Sequence, residues 1–407
     1  MHIAPCPAHI LPKTNASASL LTHLITSKFV DGLPIYRVCR QLERQHVRLS
    51  PGTAGTWVNT VGEKVLPLIN LMHEELLGAP FIQMDETYLQ VVRSETAAGS
   101  DHYMVVRAGG APGRRAVLFN YLPSRTGEAL KGLLIGPSGP YRGKLLTDGL
   151  EQYDTLAEAL GLVHFGCLQH CRTYFHKAAK VTELPSGQNL ARVALKDHLG
   201  EIYGVEREIK ALREARGQLG ETLSLERVLA IRQQKSAPLL AAFKVWVDQL
   251  LPGVAPKSAL GKALSYTTKQ WPKLVRHLDH PEMPIDNNYV ENQIRPLAQG
   301  RRAWLFAETQ YGARSSANLY SLVSSARANG LEPSKYLYHL FEEFPKADTA
   351  EALEALLPWN LNPSVGSRIN TFPSGFRHRG GLSFDPRSDR CRCAPIRWMC
   401  PTGELHS

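Results

Sequence analysis

Three acidic residues carry the clearest chemical signal in this chain. Asp85 lies inside the run Phe81-Ile82-Gln83-Met84-Asp85-Glu86-Thr87-Tyr88-Leu89, where a charge is expensive unless something pairs with it. Asp148 closes a second such run, Leu145-Leu146-Thr147-Asp148-Gly149. Glu291 follows Ile285-Asp286-Asn287-Asn288-Tyr289-Val290. Asp286 is a natural N-cap there, and on the helix it starts Asn287, Glu291 and Arg295 stand four apart and share a face. Carboxylates at the ends of neighbouring strands can converge on hard divalent cations, which prefer oxygen ligands. Singly, each residue also fits a plainer role as turn former, cap or exposed i,i+4 pair. Together, in order and on compatible elements, they point to one site.

The elements that must position them are readable from periodicity. Residues 1–18 read as an irregular arm. Leu20, Leu21, Leu24 and Ile25 keep helical spacing. Pro34 stands at a first helical position with Ile35, Val38 and Leu42 as a buried stripe, and Ser50-Pro51 opens a third helix carrying Ala54, Trp57, Val58 and Val61 on one face. The second and third helices resemble a helix-turn-helix whose outward residues are Thr53, Thr56, Asn59 and Thr60, with Arg37, Arg40, Arg44 and Arg48 around them. The same pattern fits a plain three-helix packing unit, and periodicity does not choose between the two.

From residue 81 the period changes. Phe81–Val92, His102–Arg107 and Ala116–Tyr121 read as an antiparallel meander. A helix at Thr126–Leu134, a strand at Lys144–Gly149, a helix at Tyr153–Leu160, a strand at Leu162–Phe165 and a helix at Leu168–Lys180 complete an α/β, mixed-sheet pattern. Residues 188–280 are charged and helical, an all-helical insertion. Compact helix-turn patterning returns from 285 to about 345, and 364–407 reads as a loose basic tail. The divisions are thus 1–18, 19–78 (helical DNA-binding module), 79–187 (first part of the core), 188–284 (insertion), 285–361 (the core's C-terminal part) and 362–407 (tail).

Lys plus Arg is 47 against 37 acids, a net charge of +10, which hints at a polyanionic partner. No run approaches the roughly 18 apolar residues a membrane span needs, and no secretory signal is visible. Seven cysteines then read as reduced thiols, as in a cytoplasm. Cys167, His170 and Cys171 stand at i, i+3 and i+4 on one helix, which invites a zinc reading. A structural site wants four ligands, so buried thiols beside a hydrogen-bonded histidine are expected instead.

Several blocks together resemble the IS66-type transposases, a DDE group with an RNase H-like catalytic core. They are Lys28-Phe29-Val30-Asp31-Gly32-Leu33-Pro34, Met84-Asp85-Glu86-Thr87, Thr147-Asp148-Gly149, Cys167-Leu168-Gln169-His170-Cys171 and Ile285-Asp286-Asn287-Asn288 with Glu291 and Arg295-Pro296. The likeness continues through Gly300-Arg301-Arg302-Ala303-Trp304-Leu305-Phe306, Asn329-Gly330-Leu331 and Leu357-Pro358-Trp359, over about residues 9–361. Arg302-Ala303 and Ala307-Glu308-Thr309 depart from the family pattern. The family's upstream Cys-rich segment has at most Cys6 as a counterpart, which reads as truncation.

The resemblance implies that Asp85, Asp148 and Glu291 are the catalytic triad and metal ligands of a DNA-cleaving and strand-transferring enzyme. Two Mg²⁺ (or Mn²⁺) ions about 3.5–4 Å apart would act on the attacking and leaving oxygens, Asp85 bridging them. Arg295, Arg301, Arg302 and Arg314 are candidate phosphate clamps, or a solvated basic loop. Trp304 and Phe306 are expected in the core rather than as stacking platforms. Transposon ends and target DNA are the implied partners, with a homo-oligomer on DNA, accessory proteins of the element, no membrane, and a cytoplasmic, nucleoid-associated location in a bacterium. Two rival readings remain: a catalytically inactive relative that only binds DNA, and a nuclease of the same fold that cleaves without joining.

Overall fold

The computed structural model describes residues 8–94, 102–181 and 189–361. Residues 1–7 of the N-terminal arm, the basic tail, and Cys6, Cys391, Cys393 and Cys400 lie outside the described residues. Three helices form where capping and periodicity predict them: α1 (Ala18–Phe29), α2 (Ile35–Arg44) and α3 (Pro51–Lys64). Ser17 and Ser50 cap the first and third, their Oγ atoms accepting from the N–H groups of Leu20 at 3.2 Å and Thr53 at 3.0 Å. A fourth helix, α4 (Leu66–Leu77), follows after Val65 alone. Pro67 conceals it in the sequence, yet in the first turn a proline has no intrahelical hydrogen bond to lose.

The meander appears as β1 (Phe81–Leu89), β2 (His102–Gly109) and β3 (Ala116–Leu122), all antiparallel neighbours. β4 (Lys144–Leu146) pairs parallel with β1, and β5 (Val163–Phe165) parallel with β4. The five-stranded order is therefore β3-β2-β1-β4-β5. Between the strands run α5 (Gly127–Gly132) and α6 (Glu151–Leu160), and α7 (Leu168–Val181) follows β5. The first predicted strand breaks at Gln90: Val91–Arg93 instead pairs parallel with Ala307–Thr309.

The insertion's described residues hold helices and no strand, with α8 (Gly200–Gln218), α9 (Ala237–Leu250) and α10 (Ala259–Leu274) as its longest members. Buried Arg232 bonds both oxygens of Glu206 at 2.8 and 2.9 Å and reaches the carbonyls of His277, His280 and Met283. That network fixes the chain just before the segment carrying Glu291. The C-terminal part carries α11 (Asn288–Trp304), α12 (Gln310–Ala328) and α13 (Pro333–Glu343), with a short helix at Ala350–Glu354 after them. Gly330, at φ 76°, turns the chain between α12 and α13.

A sheet edge exposes unpaired backbone groups. Here α12 covers the β3 edge with side chains at i, i+4 and i+8. The Oγ of Ser321 accepts from Phe119 N–H at 2.8 Å, that of Ser325 from Val117 N–H at 2.9 Å, and Asn329 Oδ1 from Arg115 N–H at 2.9 Å. The apolar core runs on from the sheet into the helical module, since Leu21, Leu24, Phe29 and Val58 belong to the same buried cluster as Val105, Phe119 and Tyr320. No described helix is long and apolar enough to cross a membrane.

Candidate active site

Register brings the two aspartates together. In the parallel β1–β4 pair Gln83 lies opposite Leu146, and Asp85 and Asp148 each stand two residues further on. Adjacent strands are about 4.8 Å apart, so the two acids are near neighbours, Asp85 within β1 and Asp148 just past the end of β4. Asp85 Oδ1 accepts from Glu86 N–H at 2.9 Å, and Asp148 Oδ1 from Leu150 N–H at 3.1 Å.

Glu291 reaches them through a clamp on β1. Asn287 is fully buried immediately before α11; its side-chain amide donates to Met84 O at 2.8 Å, and its N–H to Cys167 Sγ at 3.2 Å. Gln83 Nε2 donates to Asp286 O at 3.2 Å. Glu291 N–H donates to Asn287 O at 3.1 Å, which sets the glutamate one helical turn beyond the clamp. Asp286 is not the N-cap expected of it: Asn287 holds that position, and Asp286 Oδ1 accepts from Asn288 N–H at 3.1 Å one residue earlier, as an Asx turn does. Asn287 does not share an exposed face with Glu291 and Arg295, because it is spent on the strand.

The electrostatics record this crowding. Burial, then Asp148, Glu86 and Glu291, push the Asp85 carboxyl up to about 8. Burial raises Asp148, opposed by the Leu150 N–H, His170, Arg125 and Lys273. Burial also raises Glu291, with His170 and Arg295 opposing and Asp286 and Asp148 adding to it. Glu291 Oε1 is shut off from solvent, lies 3.5 Å from His170 Nδ1, and closes no hydrogen bond. Three carboxylates held against their own repulsion, one with an unsatisfied oxygen, are the donor set a hard divalent cation prefers.

Sequence reasoning overlooked several supporting groups. Strand alternation sends Glu86 to the face opposite Asp85, where it accepts from Tyr153 O–H and pairs with Arg125 at 3.1 Å. Nothing local marks Arg125 or Tyr153 as its partners. The sequence leads to a hydrogen-bonded His170 rather than a zinc ligand, with no sign of an acidic neighbour. Cys167, His170 and Glu291 do bring ligand atoms within 4.8 Å of one another. Cys171 turns away instead, its Sγ 3.2 Å from Thr267 Oγ1 and its thiol pushed up to about 12 by burial. The two thiols are buried and free, as expected, whereas the histidine faces an acid and closes no hydrogen bond through Nδ1.

The candidate DNA contacts fall in two groups. Arg37, Arg40, Arg44, Arg48, Thr53 and Thr56 are exposed around α2 and α3. Asn59 and Thr60 are half-buried; Asn59 lies at the α12 contact, within 3.6 Å of where a Cβ on Gly312 would sit. Arg295 and Arg302 are exposed on α11. Arg301, in its last turn, turns back to Tyr88 O and to Thr87 Oγ1 at 3.3 Å. Arg314 is exposed in the first turn of α12, so these arginines ride on helices rather than on a basic loop. Phe306 is 44% exposed and Trp304 half-buried, which corrects the expectation that both are core. Leu305 takes φ 64°, a strained conformation for a side-chain-bearing residue, and it turns this segment outward.

Comparison with known proteins agrees with the geometry. Residues 13–315 match the model described as Transposase IS66 family, and residues 321–359 the IS66 C-terminal element. Two Sinorhizobium fredii proteins, both named "Uncharacterized protein" (y4jD and y4qI), are similar to this chain. The first is 30% identical over 369 residues, covering 88% of this chain and 68% of its own length. The second is 26% identical over 378 residues, covering 89% and 66%. The chain thus spans about two thirds of the length of these relatives.

Proposed function

The chain belongs to the IS66 transposase family, and we propose that it is a DDE transposase cutting and joining DNA strands at Asp85, Asp148 and Glu291. The observation that supports this reading is that Asp148 and Glu291 both act on buried Asp85, with Glu291 on a helix tied to β1 through Asn287. The sheet order β3-β2-β1-β4-β5, antiparallel then parallel, supports an RNase H-like core.

The donor set fits hard divalent ions such as Mg²⁺ or Mn²⁺, which Asp85, Asp148 and Glu291 would hold. When bound, such ions make water nucleophilic and stabilise a leaving oxygen at a phosphodiester. The chain's own residues do the rest. Asn287 and Gln83 orient the segment bearing Glu291, and Leu150 N–H fixes one oxygen of Asp148. His170 and Arg295 temper the negative charge around Glu291. Arg302 and Arg314, exposed on α11 and α12, would meet phosphates on the approach. Transposon ends and a target duplex would be the substrates, and a DNA-held oligomer the working form.

The test is strand cleavage at element ends with Mg²⁺, comparing wild type with Asp148→Ala. Cleavage should vanish in the variant; persistence at the wild-type rate refutes the site. Adding a target duplex separates a transposase, which yields joined product, from a nuclease of the same fold, which does not.

A further inference from the structure

Cys167, His170 and Glu291 form a cluster that the acid site does not use up. Their ligand atoms lie within 4.8 Å of one another. His170 Nδ1 and Glu291 Oε1 stand 3.5 Å apart, both shut off from solvent and neither in a hydrogen bond. Nitrogen and oxygen ligands on one tetrahedral Zn²⁺, with bonds of about 2.0–2.2 Å, are about 3.4 Å apart. The pair is thus already spaced for a shared ion. Cys167 supplies the third corner from the residue before α7. Its sulfur accepts from the Asn287 N–H at 3.2 Å and from the main-chain N–H of His170. Those donors favour the thiolate, against burial, which pushes the thiol up.

Sulfur, imidazole and a carboxylate oxygen together suit a borderline cation such as Zn²⁺, whereas Mg²⁺ takes oxygen. Three protein ligands leave a fourth position open, which water fills in sites of this kind. Spacing along α7 offers Cys171 as the third ligand, but its sulfur turns to Thr267, and the glutamate of α11 stands in the cluster instead. We propose that Cys167, His170 and Glu291 are a second cation site, for Zn²⁺ or an ion of like softness, which draws Glu291 away from the Mg²⁺ set. Binding releases the thiol proton to solvent and takes His170 in its neutral form. The site stands on its own geometry. Its consequence, that zinc switches cleavage off, rests on the transposase reading above.

The test is Co²⁺ titration of the full chain without Mg²⁺ or DNA, since cobalt stands in for zinc and reports a bound thiolate by a sulfur-to-metal charge-transfer band. Cys6→Ser, Cys391→Ser, Cys393→Ser and Cys400→Ser first remove the thiols outside the described residues. An equimolar band should appear, and Zn²⁺ should displace it far more readily than Mg²⁺. It should vanish in Cys167→Ser, weaken several-fold in His170→Gln and Glu291→Gln, and persist in Cys171→Ser. Circular dichroism checks that each variant folds; should buried Cys167→Ser fail, half-buried His170 and Glu291 carry the test. No band in the folded chain, or a band that none of these three variants changes, overturns the proposal, as does a band that follows Cys171 instead. In cleavage assays Zn²⁺ should slow the Mg²⁺ reaction several-fold, and less so in His170→Gln, each set against its own rate with Mg²⁺ alone. Zinc that binds without slowing a cleaving chain would overturn the sharing of Glu291. A cobalt band in a chain that never cleaves DNA would keep the site and sink the transposase reading; cleavage without the band would do the reverse.

Discussion

The side-chain amide of Asn287 donates to the main-chain carbonyl of Met84 at 2.8 Å across 203 positions of sequence. Met84 immediately precedes Asp85, and Asn287 precedes Glu291 by one helical turn, so a single bond sets the spacing between strand-borne and helix-borne acids. Asn287→Ala removes that bond and leaves a buried carbonyl short of a donor, at about 1–3 kcal/mol. Losing a group that orients a metal ligand typically costs about 10–100-fold in activity, and a loss of that order in cleavage is expected here. Thermal unfolding and a cleavage assay on the same preparation check both figures. Wild-type cleavage in the variant would remove Asn287 from the site.

Asp85 titrates at about 8 in the folded chain against an ordinary 3.8. The fold therefore favours the protonated form: the benefit is full below about pH 4 and is lost as pH rises through about 8. Without divalent cations, the thermal midpoint should fall across that window more steeply for wild type than for Asp85→Asn, and Mg²⁺ should restore it at the alkaline end. Parallel curves for the two proteins would contradict the crowding of acids.

Ser325 satisfies Val117 on the covered sheet edge, accepting from its N–H at 2.9 Å and donating to its carbonyl at 3.0 Å. Ser325→Ala should destabilise by about 1–3 kcal/mol while leaving metal-dependent cleavage per folded molecule intact. Denaturant unfolding measures the first and active-site titration the second. An unchanged midpoint would mean that water replaces the hydroxyl at that edge.

Arg40, Arg44 and Arg48 are exposed, whereas Asn59 is half-buried at the α12 contact. If α3 lies on DNA, each arginine replaced by Ala should reduce the salt slope of duplex binding by about one per lost phosphate contact. Asn59→Ala should disturb stability as much as affinity. Fluorescence anisotropy across a chloride series distinguishes these; salt slopes untouched by all three arginine variants would take α2 off the DNA.

Much of this molecule is local and therefore legible in its residues. Ser17 and Ser50 announce helix starts by satisfying N–H groups three positions away. The alternation and apolar runs of β1, β2 and β3 specify a meander, and the spacing of acids on such elements specifies the kind of chemistry. The departures share one cause. α4 escaped notice because Pro67 resembles a breaker until its first-turn position is known. Asn59 seemed outward because the helix that half-buries it comes some 250 residues later, and Phe306 seemed apolar and therefore inward until the backbone at Leu305 turned it out.

The sequence by itself determined the segments, their caps, and the identity of the three acids as candidates. Tertiary structure alone decided that Gln83 faces Leu146, that Asn287 grips β1 and that His170 meets Glu291. Hydrogen bonds between neighbours in the chain leave a pattern in residue order. Bonds between elements hundreds of positions apart depend on register and packing, and no short stretch of sequence encodes those.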